Sequence, residues 1–353
     1  MAESRALSAS PDPLRVAVVG CGAIAQLQHL PALAASREAR AAVLVDRDLA
    51  RAQELARRFG VPRAVADVGE LGDGVDAAIV ALPNHLHAPV AVELLRRGIH
   101  VLVEKPMAPT VAQCDDMIAA AGAAGAVLAV GLEFRFFDST ELVRSLLADQ
   151  LVGSLGGFDL RQGVIPRWPF ASDFVLRKET AGGGVLADYG VHVLDLLLCW
   201  LGDWRGVECA DDARGGLESD AELQLAMESG VAGVVEVSRT RNLRNTCRFF
   251  GTRGVLEVGI WDPDPEISVR LPGKPLALAG RARRGSAALS FDDAFARQLA
   301  DFAGAIRERR PPRVPGSEGR RTIELVEACY ANRRPLEQPW ESPRELARWR
   351  ELR

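Results

Sequence analysis

Short apolar runs alternate with helical patterns through the first 131 residues of the chain. The apolar runs lie at 14–19, 41–45, 76–82, 99–103 and 126–131, and the helical patterns lie at 24–36, 48–59, 88–97 and 110–124. Continuous apolar runs are typical of strands that are buried on both faces. Their alternation with helices predicts βαβ units and a parallel sheet.

After about residue 135 the pattern changes to that of an α+β fold with an open sheet. A helix at 138–150 precedes runs that suit antiparallel strands, at 155–164, 219–228, 231–239, 246–250 and 254–260. Ser290, with Asp293 three residues later, predicts the start of a late helix whose apolar stripe indicates core packing rather than a groove for a partner. The segment 262–287 is rich in Pro, Gly and Arg and predicts a loop.

The bulk composition narrows the class of partner and compartment. The formal net charge is −4, which gives no electrostatic reason to expect nucleic acid or an anionic membrane as a partner. The six cysteines are scattered without a C-x-x-C pair, which favours free buried thiols in the cytoplasm. Residues 1–13 lack the apolar core of a signal peptide and are expected to form a mobile tail. No window has the roughly 18 uninterrupted apolar residues that a membrane helix needs.

The first motif with chemical meaning is Gly20-Cys21-Gly22-Ala23-Ile24-Ala25, which follows a strand and opens a helix. Gly20 permits the tight turn, Gly22 lets the backbone approach a pyrophosphate, and Ala25 keeps the helix close to the strand. The pyrophosphate then rests on the free N–H groups at the start of the helix. The motif predicts a dinucleotide site, and the alternative is a glycine turn without a ligand.

The next strand ends at Asp46, about 20 residues beyond this loop, where an acidic side chain can accept hydrogen bonds from the ribose hydroxyls. Because a carboxylate repels a 2′-phosphate, Asp46 favours NAD over NADP. The adjacent Arg47 keeps NADP open, since it could turn toward such a phosphate.

The second motif is Glu104-Lys105-Pro106, at the carboxyl end of the fourth apolar run. Ligands of open parallel sheets bind at that edge. The chain has only three lysines, at positions 105, 178 and 274, although arginine is abundant. Near a bound nicotinamide cation the pKa of Lys105 should be depressed, so that it could exchange a proton with a substrate hydroxyl. The alternative is a solvated loop lysine paired with Glu104.

The third motif runs from Gly182 to Asp195 and contains three glycines followed by a helical pattern. Asp188, His192 and Asp195 are spaced i, i+4 and i+7, which places them on one helix face. A carboxylate one turn from an imidazole raises its basicity, as a general base requires. The alternatives are a surface His–Asp pair and half of a metal site. No third ligand has suitable spacing, so no metal is expected.

These motifs together resemble those of the Gfo/Idh/MocA family of oxidoreductases, named for glucose–fructose oxidoreductase, inositol dehydrogenase and rhizopine catabolism proteins. The matching segments are VAVVGCGAIAQLQHLPAL, LPNHLHAPVAVELLRRGIHVLVEKPMA, GGGVLADYGVHVLDLL, FFGTRGVLEV and ADFAGAIRERRPPRVPGSEGRRTIELVEACY. The resemblance implies an α/β Rossmann domain with a parallel sheet over 14–135. It also implies an α+β domain over 136–353 with an open, mostly antiparallel mixed sheet that serves homodimer or homotetramer contacts.

The resemblance also implies roles for individual residues. Catalytic roles fall to Lys105, Asp188 and His192, with His192 taking the hydroxyl proton and Lys105 stabilising the alkoxide. Cofactor contacts fall to Gly20, Gly22, Ala23, Ile24, Asp46, Arg47, Leu82, Pro83, Asn84, His87, Glu104, Lys105 and Arg135. Substrate contacts fall to Lys105, Glu133, Trp168, Asp188 and His192. Glu133 stands where many relatives have an uncharged residue, which suggests a cationic or amino-sugar substrate.

The leading hypothesis is an NAD(P)-dependent enzyme that interconverts a secondary alcohol and a ketone on a sugar, amino sugar, nucleotide sugar or cyclitol. A glycosidase that uses NAD for transient oxidation at C3 is an alternative within the same fold. A non-catalytic NAD(H) sensor is an alternative from another class. Intact Lys105, Asp188 and His192 argue against the sensor, which has no need of all three.

Overall fold

The computed structural model describes residues 12–166, 173–274 and 278–337. The tail expected at 1–13 lies almost entirely outside these ranges, and so does Trp168, which was predicted to contact substrate. The chain builds two sheets, one from its first 131 residues and one from the residues that follow.

The first sheet has six strands, all parallel, and confirms the predicted βαβ pattern. Its strands are β1 (Leu14–Val19), β2 (Ala39–Val45), β3 (Ala64–Val65), β4 (Ala77–Val80), β5 (His100–Glu104) and β6 (Leu128–Gly131), in the order β3-β2-β1-β4-β5-β6. Helices α1 (Leu30–Ala35), α2 (Leu49–Phe59), α3 (His87–Arg96) and α4 (Val111–Ala124) cover it. This strand order reverses between β1 and β4, and a dinucleotide binds at such a switch point.

The second sheet is open and mixed, as expected, and follows helix α5 (Asp138–Ala148). Helices α6 (Lys178–Ala181) and α7 (Val191–Leu201) lie between its first two strands in the chain. Its strands are β7 (Leu155–Gly163), β8 (Trp204–Asp211), β9 (Asp220–Met227), β10 (Ala232–Ser238), β11 (Thr246–Gly251), β12 (Gly254–Gly259), β13 (Glu266–Arg270), β14 (Leu278–Arg281) and β15 (Arg333–Pro335). Their order is β14-β13-β12-β11-β7-β10-β9-β8-β15, and only the pairs β7/β10 and β8/β15 are parallel.

The segment 262–287 contains loop residues, as predicted, but it also contains β13 and β14, which were missed. Ile267 and Val269 of β13 are buried and pair with the neighbouring strand β12. Two buried apolar positions among prolines, glycines and arginines form too short a pattern to stand out. Strand β8 was also missed, since its sequence WRGVECAD has no clear alternation.

The chain returns to the first sheet after building the second. Helix α8 (Phe291–Glu308) begins at the predicted cap, where Ser290 and Asp293 form a reciprocal capping box. Its apolar residues Phe295, Leu299 and Phe302 are buried in one cluster with residues of β1, β2 and β4. The stripe is therefore core, as predicted, but it belongs to the core of the first sheet. Helix α9 (Gly316–Ala331) follows.

The stretch Lys178–Leu201, which includes α6, the π-helical turn and α7, is long and apolar enough to cross a membrane by length and composition alone. However, 78% of its most apolar window is buried inside the protein, as in the core helix of a folded domain. All six cysteines are free thiols, and all but Cys199 are buried, which agrees with the expectation from their spacing.

Candidate active site

The glycine loop after β1 has the geometry that a dinucleotide site requires. Gly20 has φ = +97°, and a Cβ atom there would lie 2.2 Å from the carbonyl oxygen of Ala81, so only glycine fits. A Cβ at Gly22 would meet nothing within 4 Å, so the backbone is open to an approaching group. No side chain caps the helical turn that begins at Ile24, which leaves its N–H groups for an anion. These features fit NAD(P) with its pyrophosphate on the loop.

Asp46 lies at the end of β2 and is fixed to this loop. Its Oδ2 accepts a hydrogen bond of 2.9 Å from the backbone N–H of Cys21, and its Oδ1 accepts one of 2.9 Å from that of Asp48. Ala23 and Ile24 are half-buried beside it, while Arg47 is exposed. Asp46 is thus where a carboxylate that binds ribose hydroxyls is expected.

The segment Pro83–His87, which follows β4, is held in place by hydrogen bonds of Asn84 and His87. Asn84 donates a 2.7 Å hydrogen bond to the carbonyl of Ala181, which links it to the second domain. The two ring nitrogens of His87 lie 2.8 Å from the carbonyl oxygen of Pro106 and 2.7 Å from that of Leu82. His87 is completely buried, and burial lowers its pKa. Its side chain therefore positions Pro83 and its neighbours, and the predicted direct contact of the His87 ring with the cofactor has no support in this geometry.

Glu104 and Lys105 stand at the carboxyl end of β5, next to a cis Lys105–Pro106 bond. The alternative of a solvated Lys105 paired with Glu104 does not hold, because Oε1 of Glu104 lies 2.7 Å from Nε2 of His29 and Lys105 pairs with Asp188. The side chains of Glu104 and His29 are buried. Burial opposes ionisation of Glu104, but His29 and then Lys105 outweigh it, and the pKa of Glu104 is lowered. His29 went unnoticed in the sequence because its helix pattern looked ordinary.

Lys105 meets Asp188 across the cleft between the two sheets. Its Nζ donates a hydrogen bond of 2.8 Å to Oδ1 of Asp188 and one of 3.1 Å to the Asp188 carbonyl oxygen. Burial favours the neutral amine, but the charge and hydrogen bond of Asp188, with further charge from Glu104 and from Glu133 when it is ionised, outweigh burial and raise the pKa of Lys105. Without cofactor Lys105 is therefore an ammonium group, and the depressed pKa expected beside a bound nicotinamide cation stays a prediction.

His192 lies beside this pair, in the first turn of α7, and is 4% exposed. Its ring stacks on Phe134 with a centroid distance of 4.5 Å and an angle of 21°. Its Nδ1 atom lies 3.6 Å from Oε2 of Glu133. Burial, reinforced by the charge of Lys105, lowers the pKa of His192 well below its usual value. The prediction that Asp188 raises the basicity of His192 is wrong, and the imidazole is neutral at physiological pH.

Asp195 has a different partner from Asp188, although the spacing predicted Asp188, His192 and Asp195 together on one helix face. Asp188 lies in a π-helical turn over Leu186–Gly190, and His192 and Asp195 lie in α7, which follows it. Asp195 instead accepts hydrogen bonds of 2.6 and 2.8 Å from Arg135. Arg135 also binds Glu318 at 2.9 Å. Arg135 is thus part of a buried ionic network, and its predicted contact with the cofactor stays a prediction.

The glycine triplet before Asp188 packs against residues that the sequence did not single out. A Cβ at Gly184 would lie 2.0 Å from the carbonyl oxygen of Glu218. The Glu218 side chain accepts hydrogen bonds from the backbone N–H groups of Gly184 and Leu186, at 2.9 and 3.0 Å, and from the hydroxyl of Tyr330 at 2.8 Å. These contacts fix the turn that presents Asp188. They join residues far apart in sequence, which is why no local pattern reveals them.

Arg239, just after β10, is a further residue that was missed. Its guanidinium lies 3.9 Å from Oδ2 of Asp188. Burial opposes ionisation of Asp188, but Lys105 and then Arg239 outweigh it, and the pKa of Asp188 is lowered. Among the described residues no three His, Cys, Asp or Glu side chains are grouped so as to hold a metal ion.

Two family models match the chain in tandem. The first, described as an oxidoreductase family with an NAD-binding Rossmann fold, matches residues 14–132. The second, the GFO/IDH/MocA C-terminal domain, matches residues 117–257. Together they cover the first sheet and the second sheet as far as β12.

Curated relatives and solved structures agree. Mouse trans-1,2-dihydrobenzene-1,2-diol dehydrogenase is 32% identical over 267 residues, 71% of this chain and 76% of that protein. A dTDP-3,4-didehydro-2,6-dideoxy-α-D-glucose 3-reductase from Streptomyces antibioticus is 29% identical over 329 residues, 91% of this chain and 98% of that protein. The crystal structure of a 3-ketoreductase from Actinomadura kijaniata, with NADP and TDP-benzene, superposes with a TM-score of 0.80 at 26% identity, covering 93% of this chain and 100% of that one. The chain therefore belongs to the GFO/IDH/MocA family and is an NAD(P)-dependent oxidoreductase.

Proposed function

We propose that the protein interconverts a secondary alcohol and a ketone on a carbohydrate or related polyol. The observation that carries this proposal is the meeting of an ammonium group, a neutral imidazole and a carboxylate at the carboxyl edge of the first sheet. Lys105 donates a hydrogen bond of 2.8 Å to Asp188. His192 lies close enough to Lys105 for the ammonium charge to lower the pKa of the imidazole. When bound, the nicotinamide supplies the hydride acceptor or donor.

The protonation states assign the roles of the side chains. The neutral His192 is able to accept the proton of a substrate hydroxyl, because a base must be unprotonated before it acts. Lys105, which stays charged, donates a hydrogen bond to the oxygen as negative charge develops on it. Asp188 holds the Lys105 ammonium in place, and Arg239 compensates part of the Asp188 charge. The loop at Gly20 and Gly22 and the carboxylate of Asp46 would hold the cofactor.

Aromatic rings beside His192 support a ring-shaped substrate. Phe134, which stacks on His192, meets Trp261 edge-on at 5.8 Å, and Tyr189 lies 5.3 Å from Trp261. Tyr189 and Trp261 are half-buried, so part of this surface stays open. Sugar and cyclic polyol rings present apolar C–H faces that pack well on aromatic rings. The names of the relatives, a cyclic diol dehydrogenase and a nucleotide-sugar ketoreductase, agree with this choice.

Glu133 was predicted to attract a cationic or amino sugar, and its environment weakens that hypothesis. Burial, with the nearby charge of Glu104, raises the pKa of Glu133 to about 8 despite the opposing charge of Lys105. A carboxyl group that is neutral at physiological pH does not attract a cation. We therefore favour neutral sugars, nucleotide sugars and cyclic diols over amino sugars.

The test is a substrate screen followed by a matched pair of variants. Polyols, sugars, amino sugars, nucleotide sugars and cyclic diols are screened for the change in NADH or NADPH absorbance. Lys105→Met should bind NAD(H) normally and lose at least about 100-fold in kcat, whereas the same change at the exposed Lys274 should alter nothing. Glycoside cleavage without net NADH would instead indicate the glycosidase, and turnover undiminished in Lys105→Met would refute the proposed mechanism.

A further inference from the structure

Nδ1 of His192 is a buried polar atom without a hydrogen-bond partner among the described residues. The atom faces the Glu133 carboxylate, 3.6 Å away, and stacking on Phe134 fixes the plane of the ring. Both side chains are nearly inaccessible, at 5% exposure for His192 and 11% for Glu133. A movement of about 0.6 Å would bring Oε2 of Glu133 within hydrogen-bond distance of Nδ1. An unpaired buried nitrogen is costly, which favours that contact in at least one working state.

We propose that Glu133 is the terminal acceptor of a proton relay that starts at the substrate hydroxyl and passes through the His192 imidazole. The proposal rests on the alcohol–ketone function above. During oxidation, the hydroxyl proton moves to Nε2 of His192 while the Nδ1 proton moves to Oε2 of Glu133. The imidazole is neutral before and after, the carboxylate becomes a carboxylic acid, and the hydride from the same carbon goes to the nicotinamide. Reduction of the ketone runs through the same transfers in reverse.

The relay resolves an electrostatic difficulty at this site. If His192 kept the proton, it would become a buried imidazolium beside the ammonium of Lys105, and both burial and that charge disfavour the imidazolium. A proton on the Glu133 carboxyl group is instead stable, because it adds no charge to the buried site. The charged and titratable groups around this carboxyl are Glu104 and Lys105 at the end of β5, and His192 and Asp195 on α7. Burial and the two acids raise the pKa of Glu133 to about 8, so its acid form is stable near neutrality.

Glu133 thereby selects the tautomer of His192. As a carboxylate it accepts a hydrogen bond from Nδ1–H, which leaves Nε2 bare to act as a base in oxidation. As a carboxylic acid it donates to Nδ1, which leaves Nε2–H to protonate the oxygen formed in ketone reduction. Oxidation should therefore gain, and reduction lose, as the pH rises through about 8.

The direct test is the ¹⁵N chemical shifts of the His192 ring in the full-length, cofactor-free protein between pH 6.5 and 9.5. Assignment by His192→Asn is straightforward because the chain has five histidines. We expect the protonated nitrogen to change from Nε2 to Nδ1 with a midpoint near 8. In Glu133→Gln, which has the same shape but does not titrate, the change should vanish. His100, whose Nδ1 accepts a 2.8 Å hydrogen bond from the N–H of Val127, is the internal control and should keep its tautomer.

A single His192 tautomer across this range in the native protein would overturn the relay without any need for a variant, and so would a transition that persists in Glu133→Gln. Kinetics supply the second readout. Glu133→Gln should lower kcat for oxidation by about 10-fold to 100-fold, with KM within about twofold. In a profile of kcat against pH, the variant should also lose the rise near pH 8 that the native protein shows. If the tautomer change occurs but no substrate is ever turned over, the proposed function fails and the Glu133–His192 coupling stands.

Discussion

The ammonium of Lys105 and the carboxylate of Asp188, 83 positions apart in the chain, meet at 2.8 Å where the edge of the first sheet faces the π-helical turn. This contact decides the charge state of Lys105, because without it burial alone would favour the neutral amine. Lys105 lies at the edge of the first sheet because it directly follows the last residue of β5. Asp188 is held opposite it because Glu218 packs under the glycine triplet that precedes Asp188.

Asp188→Asn should lower the pKa of Lys105, since the variant keeps the shape of the side chain and removes its charge. Lys105 must be protonated to act, so activity is lost as pH rises through its pKa, and this basic limb should move to lower pH in the variant. We expect kcat/KM at neutral pH to fall by about 100-fold. The measurement is a pH–rate profile. Asp115→Asn, at an exposed ion pair with Arg320, should leave the profile unchanged.

The stability of the protein should fall as pH rises from about 5 toward 8 because of Glu133. The folded pKa of about 8 lies above the ordinary glutamate value of 4.5, so between these values the folded state holds a proton that the unfolded state releases. This loss amounts to roughly 1.4 kcal/mol per pH unit for an isolated group. Glu133→Gln should therefore be more stable than the native protein at pH 8 and close to it at pH 5. Urea denaturation at the two pH values measures this, and an equal difference at both would contradict it.

Arg135→Met should destabilise the fold rather than act through the cofactor alone. The guanidinium is 8% exposed, and its partner Asp195 is 1% exposed, so the substitution leaves a buried carboxylate without its counter-ion. Loss of one partner of a buried pair costs about 3–5 kcal/mol. Arg320→Met, at the exposed pair with Asp115, should cost less than about 1 kcal/mol. Comparable losses in the two variants by chemical denaturation would refute the distinction.

Gly20→Ala and Gly22→Ala should differ in what they damage. At Gly20 a methyl group collides with the Ala81 carbonyl and the φ of +97° is unfavourable, so both the melting temperature and NADH affinity should fall. At Gly22 nothing obstructs a methyl group in the protein itself, so the melting temperature should hold while NADH affinity falls by at least about 10-fold. Thermal melts and NADH fluorescence titrations separate the two. Unchanged NADH affinity in Gly22→Ala would argue against a pyrophosphate at this loop.

Asp46→Ser should shift cofactor preference toward NADP. The native carboxylate is held against the glycine loop and repels a 2′-phosphate, whereas Arg47 beside it is exposed and able to pair with one. Removal of the repulsion should change the ratio of the Kd values for NADPH and NADH by about 10-fold or more. Ser retains a hydrogen-bond acceptor for the loop. If native protein already binds NADPH more tightly than NADH, the role given to Asp46 is incorrect.

Local chemistry in the sequence was enough to locate the glycine loop, Asp46, Lys105, Asp188 and His192, because each stands at a strand end or helix start. Several details that depend on contacts distant in sequence were not foreseen. The pairing of Asp195 with Arg135 joins residues 60 positions apart. The pKa of His192 is lowered rather than raised, because burial and the charge of Lys105 depend on packing.

The return of helix α8 to the first sheet has a consequence for how the protein holds together. Phe295, Leu299 and Phe302 fill the core beside β1, so a fragment ending at residue 135 would expose an apolar surface that only the distant helix covers. The nucleotide-binding half is thus completed by residues that are synthesised long after its own strands. We expect the two halves to unfold in a single cooperative transition, and neither to be recoverable as an autonomous truncation product.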